Sequence, residues 1–402
     1  MLVHETTIVK EAGEVCITVR LELEKKLAFL PKELWYKFPE AYEQYISPRA
    51  DAFAPTALLL AMYTGEDLTI RGPISPKLAY GLFEYRNIFH SWLPKLFQKV
   101  EINYEQLQPV KPIPGETAVA AAFSGGVDSF YTLWSHLQEN QEFPHARLTH
   151  GIFVRGLDMR LDDEENYLKA AEQYTNLYKE LGLDLILAST NAYQFSEFRI
   201  DWTLFHGPPL IGTALLLDRL LRRFYVPSFY SYVEIEPQGS SPLSDHLLST
   251  ERLDVIHHGA SVSRIKKLEV ISDWSATYKN LRVCADKERL KGAANCCNCH
   301  KCYRTMVTLS LLDSLSKYET FSSRLSIKSY LRWGFLTHLN VKQATKIRGL
   351  AIRTGRLWVA FLVQVAIVLA TMKNIIIVLI KRLLSREQLY FIKRKIYSPE
   401  SK

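Results

Sequence analysis

The chain has almost no cysteine outside one short segment. Of its six cysteines, five fall between Cys284 and Cys302. A secreted protein stapled by disulfides distributes its cysteines through a short chain, so this distribution argues against that class. The amino terminus also lacks the basic region and the apolar core of a signal peptide. These two absences predict a cytoplasmic protein.

Basic charge is scarce in the body of the chain. The formal net charge is +8 over 402 residues, but residues 341–402 carry 13 Lys and Arg against two acids, about +11. Residues 1–340 are therefore left with about −3. A nucleic-acid-binding protein concentrates positive charge where the nucleic acid lies, so this acidic body disfavours nucleic acid as a partner.

Three stretches of different pattern follow one another along the chain. Residues 1–108 mix strand-like segments (15–21, and 67–70 ending at a turn over 71–73) with a helical one (78–96), which predicts a small N-terminal α+β unit. Pro109, Pro112 and Pro114, followed by Gly115, interrupt both patterns and predict a domain boundary. Residues 116–318 form the second predicted unit, and residues 319–402 form a basic, partly apolar helical tail.

Strands and helices alternate regularly in the second unit. Apolar strand candidates occupy residues 118–123, 151–154, 185–188, 224–228 and 253–256, and helical stretches over 129–137, 164–181 and 210–223 intervene. Such alternation is typical of βαβ units. The sequence therefore predicts an α/β fold with a parallel, doubly wound sheet.

A glycine-containing loop follows the first of these strands and opens the next helix. It consists of Ser124, Gly125, Gly126, Val127, Asp128 and Ser129. Glycines let the backbone approach an anion closely, and the amides and the positive helix end then point at it. The serines add donors, and Asp128 can hold Mg²⁺ on phosphate oxygens. An ordinary helix cap favours the same residue types, but the complete string predicts phosphate binding.

This string resembles the signature of the PP-loop, or N-type ATP pyrophosphatase, superfamily. The resemblance implies an adenine nucleotide alpha hydrolase-like fold and cleavage of ATP between its α and β phosphates, with the loop holding pyrophosphate. A substrate oxygen would be adenylated, and a nucleophile such as ammonia or sulfur would displace AMP. The resemblance also implies that adenine lies near the end of the second strand, at Val154 and Arg155.

Four cysteines have the spacing of a metal knuckle. They are Cys284, Cys296, Cys299 and Cys302. Four thiolates suit tetrahedral Zn²⁺. Cys297 is an alternative to Cys296 in this set, and an iron–sulfur cluster or incidental free thiols are alternatives to zinc.

The loop and the cysteines together resemble the 7-cyano-7-deazaguanine synthase family over roughly residues 117–310. That family converts a carboxylate on a deazaguanine to a nitrile with ATP and ammonia, and it carries a Lys-X-Glu helix that residues 267–269 match. Arg264 and Lys267 lie three apart on one helical face; a solvated face is the default, and the resemblance implies a role on the phosphates. The longer gap after Cys284 and the absence of a Tyr-Pro-Asp segment indicate a divergent branch, whose acceptor need not be a deazaguanine.

Further polar residues lie where ligands gather in open α/β folds. The loop over 237–245 is rich in Gly, Pro and Ser and is either a substrate loop or a surface connection. His206 precedes a helix, and His257 and His258 end a strand. Each of these histidines either faces the ligand or belongs to an ordinary turn or strand end.

The tail contains one long apolar stretch over residues 357–380, interrupted by Gln364, Lys373 and Asn374. Its 24 residues are long enough to cross a bilayer or to lie on one. Gln364, Thr371 and Asn374 fall on one helical stripe, which also fits a helix that packs on the rest of the chain.

The sequence thus predicts an ATP-dependent, ligase-like enzyme that adenylates a carboxylate or amide and transfers nitrogen to it. Its cofactors would be ATP, Mg²⁺ and Zn²⁺, and its partner a small-molecule or macromolecular acceptor. The alternatives are a PP-loop sulfur transferase acting on RNA and a non-catalytic ATP-binding protein docked at a membrane by its tail.

Overall fold

The structure, a computed structural model, describes residues 1–25, 27, 30–111, 113, 118–197, 199–284, 294–321, 325–335 and 341–383. The side chains of 335 and 377–383 are not among those described. Pro112, Pro114 and Gly115 of the predicted boundary lie outside the described residues. The chain divides into two compact units, Met1–Arg282 and Val283–Lys402.

The first unit contains one ten-stranded sheet. Its strands are β1 (Leu2–Glu11), β2 (Glu14–Glu22), β3 (Glu33–Pro39), β4 (Leu68–Ile74), β5 (Ile102–Leu107), β6 (Ala118–Ala122), β7 (His150–Arg155), β8 (Asp184–Thr190), β9 (Leu221–Pro227) and β10 (Asp254–His258). Their order in the sheet is β10-β9-β6-β7-β8-β3-β2-β1-β4-β5. Pairing is antiparallel for β8–β3, β3–β2 and β2–β1, and parallel for every other neighbouring pair.

Helices occur in both units. Those of the first unit are α1 (Ala54–Thr64), α2 (Pro76–Trp92), α3 (Val127–Ser135), α4 (Glu164–Glu180), α5 (Tyr193–Ser196), α6 (Trp202–Phe205), α7 (Gly207–Leu216) and α8 (Arg264–Ile271). Those of the second unit are α9 (His300–Leu311), α10 (Ile327–Phe335), α11 (Val341–Arg353) and α12 (Leu357–Leu383). The predicted α/β class with a C-terminal helix is confirmed.

The strand β6 lies in the middle of the parallel half. Every one of its residues is buried, which is the pattern of a parallel strand covered on both faces. The chain runs from β6 outward to β7 and β8, then returns to place β9 and β10 on the other side of β6. Ligands of open α/β sheets bind where the strand order reverses in this way. The crevice beyond the carboxyl ends of β6 and β9 is therefore the expected binding position.

The N-terminal strands belong to the same sheet. Tyr36 and Lys37 of β3 pair with Thr190 and Ser189 of β8. The side chain of Tyr36 is fully buried, and its hydroxyl donates to the Pro209 carbonyl at 3.2 Å. The predicted division into 1–108, 116–318 and 319–402 stays a prediction, although the sheet itself continues across the first of these boundaries.

Two sequence predictions about elements are wrong. The strand predicted to stop at a turn over 71–73 continues as β4 to Ile74, because an irregular register between Ile70 and Pro73 accommodates the proline beside β5. The helix predicted over 210–223 ends earlier, at Leu216, because residues from Leu221 onward pair with β6 and β10. A short apolar run fits either a helix or a buried strand, and here sheet pairing determines the outcome.

In the second unit, α10 and α11 both pack against α12. Ala360, Val363, Ala366 and Ala370 of α12 are buried, and Gln364 accepts a hydrogen bond from Arg348 of α11. Large apolar side chains remain exposed on α12, among them Trp358, Phe361, Val368, Met372 and Ile375. In the described part of the chain, the segment Leu357–Ile376 is the one helix long and apolar enough to cross a membrane, with a mean hydropathy of 2.0.

Candidate functional site

The loop after β6 contains a glycine that no other residue can replace without strain. Gly125 has a φ of +73°, in the left-handed region. A Cβ atom at this position would also lie 1.9 Å from the hydroxyl oxygen of Tyr174 on α4. The Gly125 carbonyl accepts a hydrogen bond from the Arg282 amide at 2.8 Å, which fixes the loop from the opposite direction.

The helix α3 begins directly after this loop. Gly126 is its N-cap residue, and the first helical bond runs from the Phe130 amide to the Gly126 carbonyl at 3.0 Å. An α-helix leaves its first N–H groups without an acceptor inside the helix, and this holds for the first turn of α3. The Ser129 hydroxyl donates to the same carbonyl at 3.0 Å and lies 3.5 Å from the Ser124 hydroxyl. The turn therefore offers a positive helix end to an anion, with the hydroxyls of Ser124 and Ser129 directed within the loop.

The three predicted catalytic residues lie together at this helix end. The Asp128 carboxylate pairs with the Arg264 guanidinium and lies 3.2 Å from Lys267 Nζ. The helix α8 presents both cations because they are three residues apart, and Ser263 caps it by accepting from the Lys266 amide. Lys267 also donates to the Ser228 carbonyl, immediately after β9. Two cations and one carboxylate thus meet where β6 and β9 end.

The electrostatic state of Lys267 follows from its position. Its side chain is 1% exposed. Burial lowers the pKa of Lys267 below its ordinary value, and the neighbouring Asp128 carboxylate counteracts this shift. The ammonium group of Lys267 is therefore held in one place, and little water competes for its hydrogen bonds.

Of the two residues predicted to contact adenine, Val154 is buried and Arg155 is held by an ion pair. Val154 is buried within β7. The Arg155 guanidinium pairs with Glu164 at 2.7 Å, donates to the Leu161 carbonyl and lies over the Tyr167 ring. Both residues lie at the carboxyl end of β7, next to β6, and their contact with adenine stays a prediction.

Several separately predicted polar residues line one pocket. The pocket has a volume of about 380 Å³, part of it open to solvent, and lies at the ends of β9 and β10. It is lined by His206, Pro227, Phe229, Tyr230, Ile235, Glu236, Gln238, Ser240, Ser241, Pro242 and His257. The structure thus brings the loop over 237–245 together with two of the three histidines.

Asp245, at the end of that loop, organises the inner wall of the pocket. Its side chain is fully buried, and its Oδ2 lies 2.8 Å from His257 Nδ1. It also accepts from the Ser240 hydroxyl at 2.7 Å and from the Ser241 amide at 2.9 Å. The sequence showed Asp245 as one loop residue among several, and its pairing with a histidine 12 positions away carries no sequence signal.

His258 is partly buried and is not among the residues that line the pocket. Its ring packs against His136 and Tyr225, and its Nδ1 lies 3.0 Å from the Thr132 hydroxyl. Burial, assisted by His136, lowers the pKa of His258 to about 3. The neutral ring is therefore the folded form at neutral pH.

The four predicted metal-binding cysteines lie together in the second unit. Their sulfur atoms are all within 4.8 Å of one another, and all four residues are buried. The sulfur atoms are 3.9 Å apart for Cys284–Cys299 and for Cys296–Cys302, and 3.5 Å apart for Cys299–Cys302. A tetrahedral zinc with bonds of 2.3 Å requires sulfur atoms about 3.8 Å apart. The cluster therefore has the dimensions of a four-thiolate metal site.

The surrounding backbone supports this cluster. The amides of Asn298 and Cys302 donate to the sulfur atoms of Cys296 and Cys299 at 3.5 Å. Cys297 has a φ of +54°, and its thiol donates to the Asn295 carbonyl. Cys297 is therefore outside the set, and of the two predicted alternatives the structure selects Cys296.

Comparison with protein-family models, with curated proteins and with solved structures gives no match.

Proposed function

We propose that the chain binds ATP at the loop over 124–129, adenylates a carboxylate or amide with release of pyrophosphate, and transfers nitrogen to the activated carbon. The observation that carries this proposal is the meeting of Asp128, Arg264 and Lys267 at the N-terminal end of α3. An adenine nucleotide alpha hydrolase-like fold of the PP-loop superfamily, in a branch that resembles 7-cyano-7-deazaguanine synthase, is part of the proposal.

For this reaction the protein has to position the reactants and to neutralise the charge on the phosphates. A triphosphate on the loop would receive hydrogen bonds from the first turn of α3. The hydroxyls of Ser124 and Ser129 would donate to it after turning away from Ser129 Oγ and the Gly126 carbonyl. Mg²⁺, for which Asp128 is the carboxylate ligand at hand, would supply charge neutralisation on the phosphate oxygens. Arg264 and Lys267 would stabilise the charge that develops on the departing pyrophosphate. No covalent enzyme nucleophile is required.

The cysteine cluster would hold Zn²⁺ in a structural role. Four buried thiolates form a closed tetrahedral set that leaves no position for a substrate, as in structural zinc sites. Iron and sulfide in the purified protein would instead favour the sulfur-transfer alternative.

The exposed face of α12 supports a membrane contact in addition. Trp358 and Phe361 are 61% and 67% exposed, and Arg353 and Arg356 precede them. Because the opposite face of α12 packs on α10 and α11, a helix lying in the interface fits better than a spanning one. This contact would attach the protein to the membrane surface.

The deciding experiment measures AMP and pyrophosphate release with a panel of candidate carboxylates and ammonium. Asp128→Ala should reduce AMP formation at least about 100-fold, since it removes the group placed for Mg²⁺. Glu165→Ala is the matched control, because Glu165 is also an acid in the first turn of a helix but is 83% exposed. Full activity in Asp128→Ala, or tight ATP binding with no turnover under any condition, would contradict the proposal.

A further inference from the structure

Arg282 is a third cation beside the loop over 124–129, and the protein gives it no counter-ion. Its amide donates to the Gly125 carbonyl at 2.8 Å, and its own carbonyl lies 3.9 Å from the position that a Cβ atom of Gly126 would take. Arg282 is half-buried. Within the described part of the chain its guanidinium forms no ion pair and no hydrogen bond. A half-buried charge without a partner is unfavourable unless a ligand supplies the opposite charge.

The two cations of α8 are in a different state. The Arg264 guanidinium and the Lys267 ammonium group both contact the Asp128 carboxylate, so these three groups together carry one net positive charge. Arg282 adds a second positive charge beside the loop, and no acid of the described chain neutralises it. Of the three cations, Arg282 is therefore the one whose charge is fully available to an anion.

The Tyr174 hydroxyl reaches the same loop from α4. Its oxygen lies 1.9 Å from the position that a Cβ atom of Gly125 would take, so it contacts the loop backbone. Tyr174 is 1% exposed, and its hydroxyl has no hydrogen-bond partner among the described residues. Burial raises the pKa of Tyr174 to about 12, and the nearby Arg282 charge counteracts this rise. At neutral pH the hydroxyl is thus a protonated donor that lies within the field of Arg282.

These groups approach the loop from the side opposite to α8. The helix α8 packs against α3, and its Lys267 reaches the segment after β9. The helix α4, which carries Tyr174, packs on β7 and β8, and β7 lies on the other side of β6 from β9. Gln173 of α4 donates to the Lys279 carbonyl, three residues before Arg282. The segment that ends at Arg282 is therefore attached to the α4 side of the loop.

We infer that Arg282 and Tyr174 bind the polyphosphate on the loop from the α4 side. Two parallel N–H···O bonds would join the Arg282 guanidinium to one phosphate group, and the Tyr174 hydroxyl would donate a further bond. The inference rests on the proposed ATP site. A planar guanidinium matches two oxygens of one phosphate, which an ammonium group does not. The phosphate supplies the counter-ion and the acceptor that the fold does not provide for these two side chains.

Binding of inorganic pyrophosphate to the full chain, measured by isothermal calorimetry, tests Arg282 without turnover. Arg282→Gln should weaken binding at least about tenfold, since a charged hydrogen-bonded contact is lost. Arg282→Lys should restore only part of this affinity, because it keeps the charge but not the two-point contact. The loop itself should stay intact, because the backbone amide of residue 282 holds the Gly125 carbonyl.

Arg219→Gln is the control for Arg282→Gln. Arg219 also has no acid partner among the described residues, but it is exposed in the turn before β9, at the opposite end of that strand. Its replacement should leave pyrophosphate affinity unchanged. An unchanged affinity in Arg282→Gln, an equal loss in Arg219→Gln, or no pyrophosphate binding by the wild type would overturn the inference.

Tyr174→Phe separates a ligand contact from a structural one. It removes a buried hydroxyl that has no partner in the free protein, so the urea midpoint should not fall. Pyrophosphate affinity should nevertheless fall at least about threefold, because one hydrogen bond to the ligand is lost. Tyr178→Phe is the matched control: its hydroxyl is also buried without a partner, one turn further along α4, but it lies against Gly151 of β7.

The outcomes of the tyrosine experiment are distinct. Weaker pyrophosphate binding in Tyr174→Phe alone supports the inference. An unchanged affinity in Tyr174→Phe, or the same loss in Tyr178→Phe, would contradict the proposed contact. None of these measurements uses ATP turnover, so a chain that binds pyrophosphate as expected but forms no AMP would contradict the proposed function alone.

Discussion

Lys267 Nζ lies 3.2 Å from Asp128 Oδ1, although 139 positions separate the two residues in the sequence. The same ammonium group donates to the Ser228 carbonyl, so three segments of the first unit converge on it. A cation held this firmly needs little rearrangement when negative charge develops on a nearby phosphate. Such preorganisation is the main source of electrostatic catalysis.

Replacing Lys267 tests this convergence. Under the proposed function, Lys267→Met should lower the rate of AMP formation about 100- to 1000-fold, because it removes one fixed charge that would stabilise the departing pyrophosphate. Lys266→Met provides the control from the neighbouring position, since the Lys266 side chain is 60% exposed and pairs with Glu269. Under single-turnover conditions, the rate of AMP formation by Lys266→Met should be within about twofold of the wild-type rate. Equal losses in both variants would remove Lys267 from the mechanism.

Gly125 should be far more sensitive to substitution than another glycine with the same backbone angle. Gly125→Ala combines left-handed strain, about 1–2 kcal/mol, with a Cβ atom 1.9 Å from the Tyr174 hydroxyl. Gly182 has a φ of +70° and open space around it, so Gly182→Ala reports the strain alone. Urea unfolding should show a loss of about 1 kcal/mol for Gly182→Ala and at least twice that for Gly125→Ala. ATP affinity should fall in Gly125→Ala. Equal stability losses in the two variants would argue against the close approach of Tyr174.

The cysteine cluster makes a metal-analysis prediction. The purified protein should contain one zinc per chain, and Cys299→Ser should lose it and lower the melting temperature, because metal binding contributes directly to folding. Cys297→Ser should keep the metal, since its thiol bonds to the Asn295 carbonyl outside the cluster. Loss of metal in both variants, or an unchanged melting temperature in Cys299→Ser, would contradict a structural site.

His258 predicts a specific dependence of stability on pH. Burial lowers its pKa from 6.5 to about 3 in the folded protein, so the neutral form is stabilised by folding. The contribution is fully present above pH 6.5 and is lost as the pH falls from 6.5 towards 3. Between pH 7.5 and pH 5 the wild type should lose about 2 kcal/mol more unfolding free energy than His258→Gln. The unfolding free energies come from urea titrations at each pH. If they fall in parallel for the two proteins as the pH is lowered, His258 protonates as easily in the folded chain as in the unfolded chain.

The exposed face of α12 predicts binding to anionic vesicles. Sedimentation with vesicles that contain phosphatidylglycerol should pull down the full chain, and high salt should reduce the bound fraction. Replacing Trp358 and Phe361 together by Ser should weaken binding at least about fivefold, since both rings would enter the interface. Phe143→Ser removes a ring of similar exposure, 60%, from the first unit and should have no effect. Unchanged sedimentation of the double variant would contradict the attachment.

The local patterns of the sequence sufficed for β6 and for the turn and helix that follow it. The uninterrupted apolar run at β6 and the glycine string after it predicted a buried strand followed by a tight turn and a helix, and the structure has all three. The cysteine spacing predicted a cluster that the fold does assemble. These features depend on residues close together in sequence, so the hydrophobic period and the residue spacing are enough to predict them.

Long-range relationships were beyond the reach of the sequence. Nothing in residues 1–108 showed that β3 would pair with β8, and nothing in the string at Gly125 showed that Tyr174 would close over it. The pairing of Asp245 with His257 belongs to the same category. Each depends on how separate segments pack, and single-residue propensities do not encode that packing.

The pairing of β3 with β8 has a consequence for any attempt to isolate the strands β6–β10 from the N-terminal strands. A chain that started after residue 108 would keep the parallel strands but would leave the β8 side of the sheet unpaired, with backbone donors and acceptors open to another molecule. Such a fragment should self-associate through that bare edge. The N-terminal strands thus cover an edge that the strands β6–β10 would otherwise expose.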